Sequence, residues 1–117
     1  MWKFMLLVAV ILAAAATATS VFAHAMLERA SPAVGSSVSG SPGFVRMWFT
    51  RALERRFSGA EVIGPSGNRV AGGGSATGNQ LTVSVPRLAP GTYRVRWHVI
   101  SVDTHKTEGS FTFEIKK

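Results

Sequence analysis

The sequence has 117 residues, no cysteine and a formal net charge of +7, which limits it to one small basic domain without disulfide bonds or thiolate metal sites. The missing cysteine also excludes a lipid-anchored leader and the thiolate that defines blue-copper electron-transfer centres. A basic balance suits nucleic acid or an acidic membrane surface, but the chain has no recognised nucleic-acid-binding motif. We therefore expect a soluble secreted domain with no nucleic-acid partner.

The first 23 residues have the order of a secretory signal peptide. Lys3 supplies the positive charge near the start, and Phe4–Ala16 is an uncharged apolar run. The polar stretch Thr17–Ser20 follows, and small residues then precede the expected cleavage after Ala23. An uncleaved anchor is the alternative, but the apolar run is shorter than the ~20 residues that span a bilayer. We predict a helical signal peptide over residues 1–23 and a mature periplasmic domain over 24–117, with a net charge of +6 and no transmembrane segment.

The mature chain shows the two-residue alternation of β-strands rather than helical periodicity. The segments with this alternation are Phe44–Thr50, Ala60–Ile63, Leu81–Val85, Thr92–Val99 and Gly109–Ile115. Turn residues separate them, and we expect a flexible glycine-rich loop from Gly72 to Asn79 and at most a helical turn over Arg51–Phe57. Short strands at this spacing predict an all-β fold, an antiparallel β-sandwich or Greek-key barrel.

Two parts of the mature chain carry groups that can bind a metal ion. Cleavage after Ala23 would give His24 a free α-amine, with a pKa near 8, beside its imidazole, so one residue could chelate an ion twice. Asp103 and His105 lie two positions apart after the clearest strand, which puts both on one face if the segment is extended. Three nitrogens and one oxygen suit tetragonal copper(II). Each part taken alone also fits an interpretation without metal. His24 could be an incidental histidine at a frayed terminus, and Asp103 could cap a turn in which His105 is solvated.

Several motifs in chain order resemble the CopC family. These motifs are His24–Ala25, Ser31–Ala33, Phe49–Thr50, Phe57–Ala60, Gly91–Trp97, Ser101–His105 and Gly109–Phe113. The resemblance runs through essentially the whole mature chain, and its most specific parts are the leading histidine and the Asp-Thr-His segment. It implies a periplasmic copper-binding protein with an immunoglobulin- or cupredoxin-like sandwich, in which His24, Asp103 and His105 hold copper(II).

The sequence departs from that family pattern in ways that bear on the site. Met26 replaces the second histidine of His-x-His members, and Arg51 stands where some members have an acidic residue. Whether Met26 or the nearby Glu54 joins the site stays open. Only two methionines remain in the mature chain, and Met47 belongs to the apolar face of its strand, so we expect no methionine-rich copper(I) site.

The resemblance favours copper sequestration, delivery or resistance, with a CopD-type inner-membrane transport protein as partner and no enzymatic activity. A copper-brace oxidative enzyme, similar to a lytic polysaccharide monooxygenase, is one alternative. A metal-free immunoglobulin-like interaction domain is another. The remaining histidine, His98, shares the polar strand face with Arg94 and Arg96, so we expect it to be solvated. Arg51, Arg55 and Arg56 form a solvated loop or a docking point for an acidic surface.

Overall fold

The computed structural model describes residues 24–117, so the predicted signal peptide lies outside the described residues. These residues form nine strands in two sheets. The strands are β1 Leu27–Ser31, β2 Ser37–Ser39, β3 Phe44–Phe49, β4 Gly59–Ile63, β5 Arg69–Gly73, β6 Ser75–Thr77, β7 Gln80–Ser84, β8 Gly91–Ile100 and β9 Lys106–Lys116. One sheet has the order β1-β3-β7-β6, and the other has the order β2-β9-β8-β4-β5.

The sandwich follows from the alternation in the sequence. In β8, Tyr93, Val95, Trp97 and Val99 are buried, whereas the residues between them are exposed. Residues from both inner faces form one core, in which the Phe49 and Trp97 rings meet edge-on at 5.1 Å between centroids. The all-β sandwich that the sequence predicts is confirmed, and the part of the chain that the structure describes contains no helix able to cross a membrane.

Two local details differ from the sequence expectations. Strand β2 pairs with β9 in parallel, although the other strand pairs of the sandwich are antiparallel. The glycine-rich segment is not a free loop, because β5 pairs with β4 and β6 pairs with β7. The segment Arg51–Phe57 contains a β-bridge at Leu53 and a turn over residues 55–57, which is no more than the single turn expected there.

The long β8–β9 hairpin sets the position of the candidate site. Its ladder runs from Gly91 opposite Ile115 to Ile100 opposite Lys106, and the connection 101–105 closes it at one end of the sandwich. The β3–β4 connection clamps this closing loop. Its Glu54 N–H donates to the Ile100 carbonyl at 2.7 Å, and the Val102 N–H donates to the Ala52 carbonyl at 3.0 Å.

Candidate metal centre

The start of the described chain is fixed at the same end of the sandwich as the β8–β9 loop. The Met26 N–H donates to the Thr50 side-chain hydroxyl, and the Thr50 N–H donates back to the Met26 carbonyl, both at 2.9 Å. Ala25 is fully buried. His24 is exposed, but it follows directly from this anchored backbone, so its side chain is held near the end of β3.

The loop after β8 is a tight turn built around Ser101. This serine is fully buried, and its hydroxyl donates to an Asp103 carboxylate oxygen and accepts from the His105 N–H at 3.3 Å. The Thr104 N–H donates to the Ser101 carbonyl at 2.8 Å, and Thr104 has a φ of 72°, in the left-handed region. The left-handed residue reverses the chain between the two candidate ligands.

The turn corrects one step of the sequence argument. Asp103 and His105 do not share a face of an extended segment; the turn folds them toward each other. The nearest Asp103 carboxylate oxygen lies 3.3 Å from His105 Nδ1. The expected closeness of the two side chains is therefore present, but it arises from chain reversal rather than from strand alternation.

The imidazole of His105 is the centre of the cluster. Its ring meets the His24 ring edge-on, with centroids 4.7 Å apart and planes inclined by 68°. His105 Nδ1 is inaccessible to solvent and has no hydrogen-bond partner, although the Asp103 oxygen is close. A buried polar atom without a partner is costly. Binding a cation is one way to satisfy such a nitrogen, and imidazole and carboxylate donors fit copper(II).

Asp103 is the group whose protonation the site changes. The hydrogen bond from the Ser101 hydroxyl, aided by the neighbouring His105 imidazole, holds the pKa of the Asp103 carboxyl below its ordinary value, against a smaller opposing effect of burial. The carboxylate is thus kept in the ionised form that binds a metal ion.

The described residues do not form a complete metal cage by themselves. Among residues 24–117, no group of three His, Asp or Glu side chains is arranged to hold a metal ion. Instead, His24 and Asp103 each contact His105. In the full-length chain the His24 nitrogen is a peptide amide bonded to Ala23. The amine ligand predicted from the sequence therefore exists only after cleavage.

Other residues singled out by the sequence lie as follows. Met47 is fully buried in the core, and His98 is exposed on the outer face of β8, as predicted. Met26 is more than half exposed next to His24, and Glu54 flanks the loop through its backbone N–H. Trp48 is half-buried, and the Arg29 guanidinium lies 4.0 Å above its ring.

Sequence reasoning missed the residues that support the candidate ligands. Ser101 and Thr50 hold the loop and the terminus, and the Ser58 hydroxyl accepts from the Ile100 N–H at 3.2 Å. The Ser-x-Asp spacing could have suggested a side-chain hydrogen bond within a turn. Ser58 and Thr50 act across long sequence separations, and no local pattern indicates their partners.

The sequence is similar to known proteins over most of its length. The family model for the CopC domain matches residues 27–116, a span that begins after His24. The chain is 40% identical to Protein YobA of Escherichia coli strain K12, covering 83% of this chain and 82% of that protein. It is 35% identical to Copper resistance protein C of Xanthomonas campestris pathovar juglandis, covering 92% and 91% of the two chains.

A comparison with solved structures also finds a CopC protein. The crystal structure of CopC from Methylosinus trichosporium OB3b matches with a TM-score of 0.77 and 31% identity, over 80% of this chain and 94% of that one.

A longer protein also matches by sequence. Copper transport protein CutJ of Bacillus subtilis strain 168 is 29% identical over 82% of this chain but only 19% of its own length.

Proposed function

This chain belongs to the CopC family, and from that premise we propose that it binds one copper(II) ion through His24, Asp103 and His105, either to sequester the ion or to deliver it. Membership of this family makes the chain a copper-binding protein of the resistance type and not an enzyme. The copper-brace enzyme and the metal-free interaction domain are therefore set aside. The oxidation state, the ligands and the purpose of binding are what we propose.

The ligand set rests on one observation, the contact of both His24 and Asp103 with the same imidazole. The His24 and His105 rings are 4.7 Å apart, and Asp103 lies 3.3 Å from His105 Nδ1. Export and cleavage after Ala23 would add the α-amine of His24. Amine, two imidazoles and a carboxylate make three nitrogen donors and one oxygen donor, a set that favours copper(II).

The same donor set argues for transport or storage rather than electron transfer. The sequence has no cysteine, and in the described residues the two methionines are Met26, exposed, and Met47, sealed in the core. Soft copper(I) prefers several sulfur ligands. Copper is thus the cargo of this protein, held in its oxidised form.

A membrane copper transport protein is the partner we propose, acting with the chain in the periplasm. The match to a fifth of CutJ, a protein named for copper transport, supports this, because a domain of this family there forms part of a longer transport protein. By family resemblance the partner would be of the CopD type.

The test is to block the amine without touching any side chain. Protein is exported with its own leader, its N-terminus is read by mass spectrometry, and copper(II) is titrated against a chelator of known affinity. Acetylation of the His24 α-amine should lower the affinity about a hundredfold or more, since the chelating amine becomes an amide and no other terminal amine replaces it. An N-terminus other than His24, or unchanged tight binding by the acetylated protein, would refute the proposed site.

A further inference from the structure

A basic groove crosses the outer face of the five-stranded sheet, away from the core. Its volume is about 900 Å³, and its walls carry four arginines, namely Arg55, Arg56, Arg69 and Arg96. Two carboxylates, Glu61 and Glu108, and the otherwise unassigned His98 also line it. Arginines therefore outnumber acidic groups two to one in this groove.

The positive charge of the groove is only partly neutralised within the protein. Glu61 lies near two guanidinium groups, with oxygens 3.9 Å from Arg69 and 3.7 Å from Arg96; both arginine side chains are exposed, and that of Glu61 is half-buried. In the stretch from residue 24 to 117, Arg55 and Arg56 have no ion pair with a carboxylate. These two adjacent, exposed guanidinium groups can each donate a pair of hydrogen bonds to a carboxylate of another molecule, in the bidentate geometry that arginine favours.

A glycine in β4 keeps the groove open. A Cβ on Gly59, which lies opposite His98, would come 2.9 Å from the Gly73 carbonyl oxygen and 3.3 Å from the His98 ring. No side chain can therefore be added at Gly59 without displacing its neighbours. The absence of a side chain there gives the groove a low floor into which an extended polypeptide can settle.

The groove adjoins the loop that carries two of the candidate ligands. Arg55, Arg56 and Ser58 belong to the β3–β4 connection, and the Ser58 hydroxyl accepts from the Ile100 N–H. The same connection binds the loop at Val102, next to Asp103. A molecule seated in the groove would thus lie beside the end of the sandwich where Asp103 and His105 are found.

We propose that this groove docks an acidic polypeptide segment of a partner protein. The groove is concave and its unpaired arginines stand on a wall, so an extended chain can reach both guanidinium groups and the floor, whereas a flat lipid surface cannot. Opposite charge would also speed the encounter of the two proteins. That the docked partner exchanges copper rests on the proposed function; the docking itself does not.

The experiment uses metal-free protein, so that copper chemistry does not enter. Isothermal titration calorimetry with a hexaglutamate peptide at low salt measures docking. The double variant Arg55→Glu/Arg56→Glu should weaken binding about tenfold or more. The matched control Arg87→Glu/Lys117→Glu changes the net charge equally at the opposite end of β8, and it should weaken binding less than about threefold.

Three outcomes would overturn the docking proposal. Equal weakening by the two double variants would mean that only net charge matters, and absence of binding by the wild type would mean that no dock exists. Binding to phosphatidylglycerol vesicles without binding to the peptide would assign the arginines to a membrane surface. Copper affinity is measured separately, by titrating these same variants with copper(II). If the proposed copper site fails in that experiment, the measured peptide affinities still test the docking proposal.

Discussion

The side-chain hydroxyl of Ser101 donates a hydrogen bond to the carboxylate of Asp103, two residues further along the same turn. The same oxygen accepts the backbone N–H of His105. One fully buried residue is thus bonded to both candidate ligands of the loop, while their own side chains are nearly half exposed. The arrangement of the ligands depends on a group that we do not expect to touch the ion.

Replacing this serine should therefore affect copper binding beyond its effect on stability. Ser101→Ala leaves the His105 N–H without its acceptor, which should cost about 1 kcal/mol of unfolding free energy and lower copper(II) affinity about tenfold. Electron paramagnetic resonance of the copper-loaded variant should show a broader, heterogeneous signal. Ser58→Ala is the control, because among the described residues this buried serine supports the loop through Ile100 and bonds neither candidate ligand, so its loss of copper affinity should be smaller. Equal copper affinity of the two variants would rule out the positioning role.

A comparison of His98, near the end of β8, with His105, in the loop that follows, provides a second test of the proposed ligands. His105→Ala removes a proposed ligand and should reduce copper(II) affinity at least about a hundredfold. His98 lies on the outer face of β8, so His98→Ala should leave the affinity within about twofold. Competitive titration compares the two proteins directly. Similar losses from both substitutions would contradict the assignment.

Acidification should release copper through the nitrogen ligands and not through Asp103. The hydrogen bond from Ser101 lowers the pKa of Asp103 below 3.8, so this carboxylate is still charged at pH 5. Imidazoles and α-amines ordinarily take up protons between about pH 6 and 8, and copper must compete with those protons. The copper(II) affinity should therefore fall steadily from about pH 8 to about pH 5. Asp103→Asn should weaken binding by the same factor at every pH in this range, because the wild-type carboxylate takes up no proton there; a factor that changes with pH would contradict this.

The lowered pKa also has a consequence for the metal-free protein. A carboxyl group with a depressed pKa in the folded state stabilises that state above its unfolded pKa, and this contribution disappears as the pH falls through the folded value. Any stability difference between wild type and Asp103→Asn that arises from ionisation should therefore vanish at the acid end, below pH 3.8. Thermal unfolding of both proteins across this range measures it.

Thr104 is a residue whose backbone is better suited to glycine. A branched side chain at φ 72° costs about 1–2 kcal/mol, whereas glycine's greater freedom in the unfolded chain costs about 0.5–1 kcal/mol. Thr104→Gly should thus raise the unfolding free energy by up to about 1 kcal/mol in chemical denaturation. Thr92→Gly, at an exposed position inside β8, should instead lower it by about 1 kcal/mol. Destabilisation by both would show that the turn is not strained at Thr104.

The strands with strong alternation were predictable, and those without it were not. Alternation located β3, β4, β7, β8 and β9 to within a few residues, because each places apolar side chains on one face. Strand β5 ends in glycines and β6 has three residues, so neither carries a clear pattern. Their pairing comes from neighbouring strands rather than from their own side chains.

The site shows a similar division between residue type and geometry. The metal-binding character of His24, Asp103 and His105 could be read from residue types and spacing. The contact between His24 and His105 could not, because it depends on Met26 pairing with Thr50 across 24 residues of chain. Likewise, nothing local indicates that Thr104 adopts a left-handed conformation and turns the loop.

The β8–β9 hairpin carries the chain away from its own ligands. Strand β9 begins one residue after His105 and runs eleven residues, which at about 3.3 Å per residue separates the last lysine from that histidine by about 35 Å. A tether, affinity handle or fused domain joined at Lys117 would therefore start far from the candidate copper ligands. An appendage at the other terminus would cover them, so immobilisation for binding assays belongs at the carboxyl end.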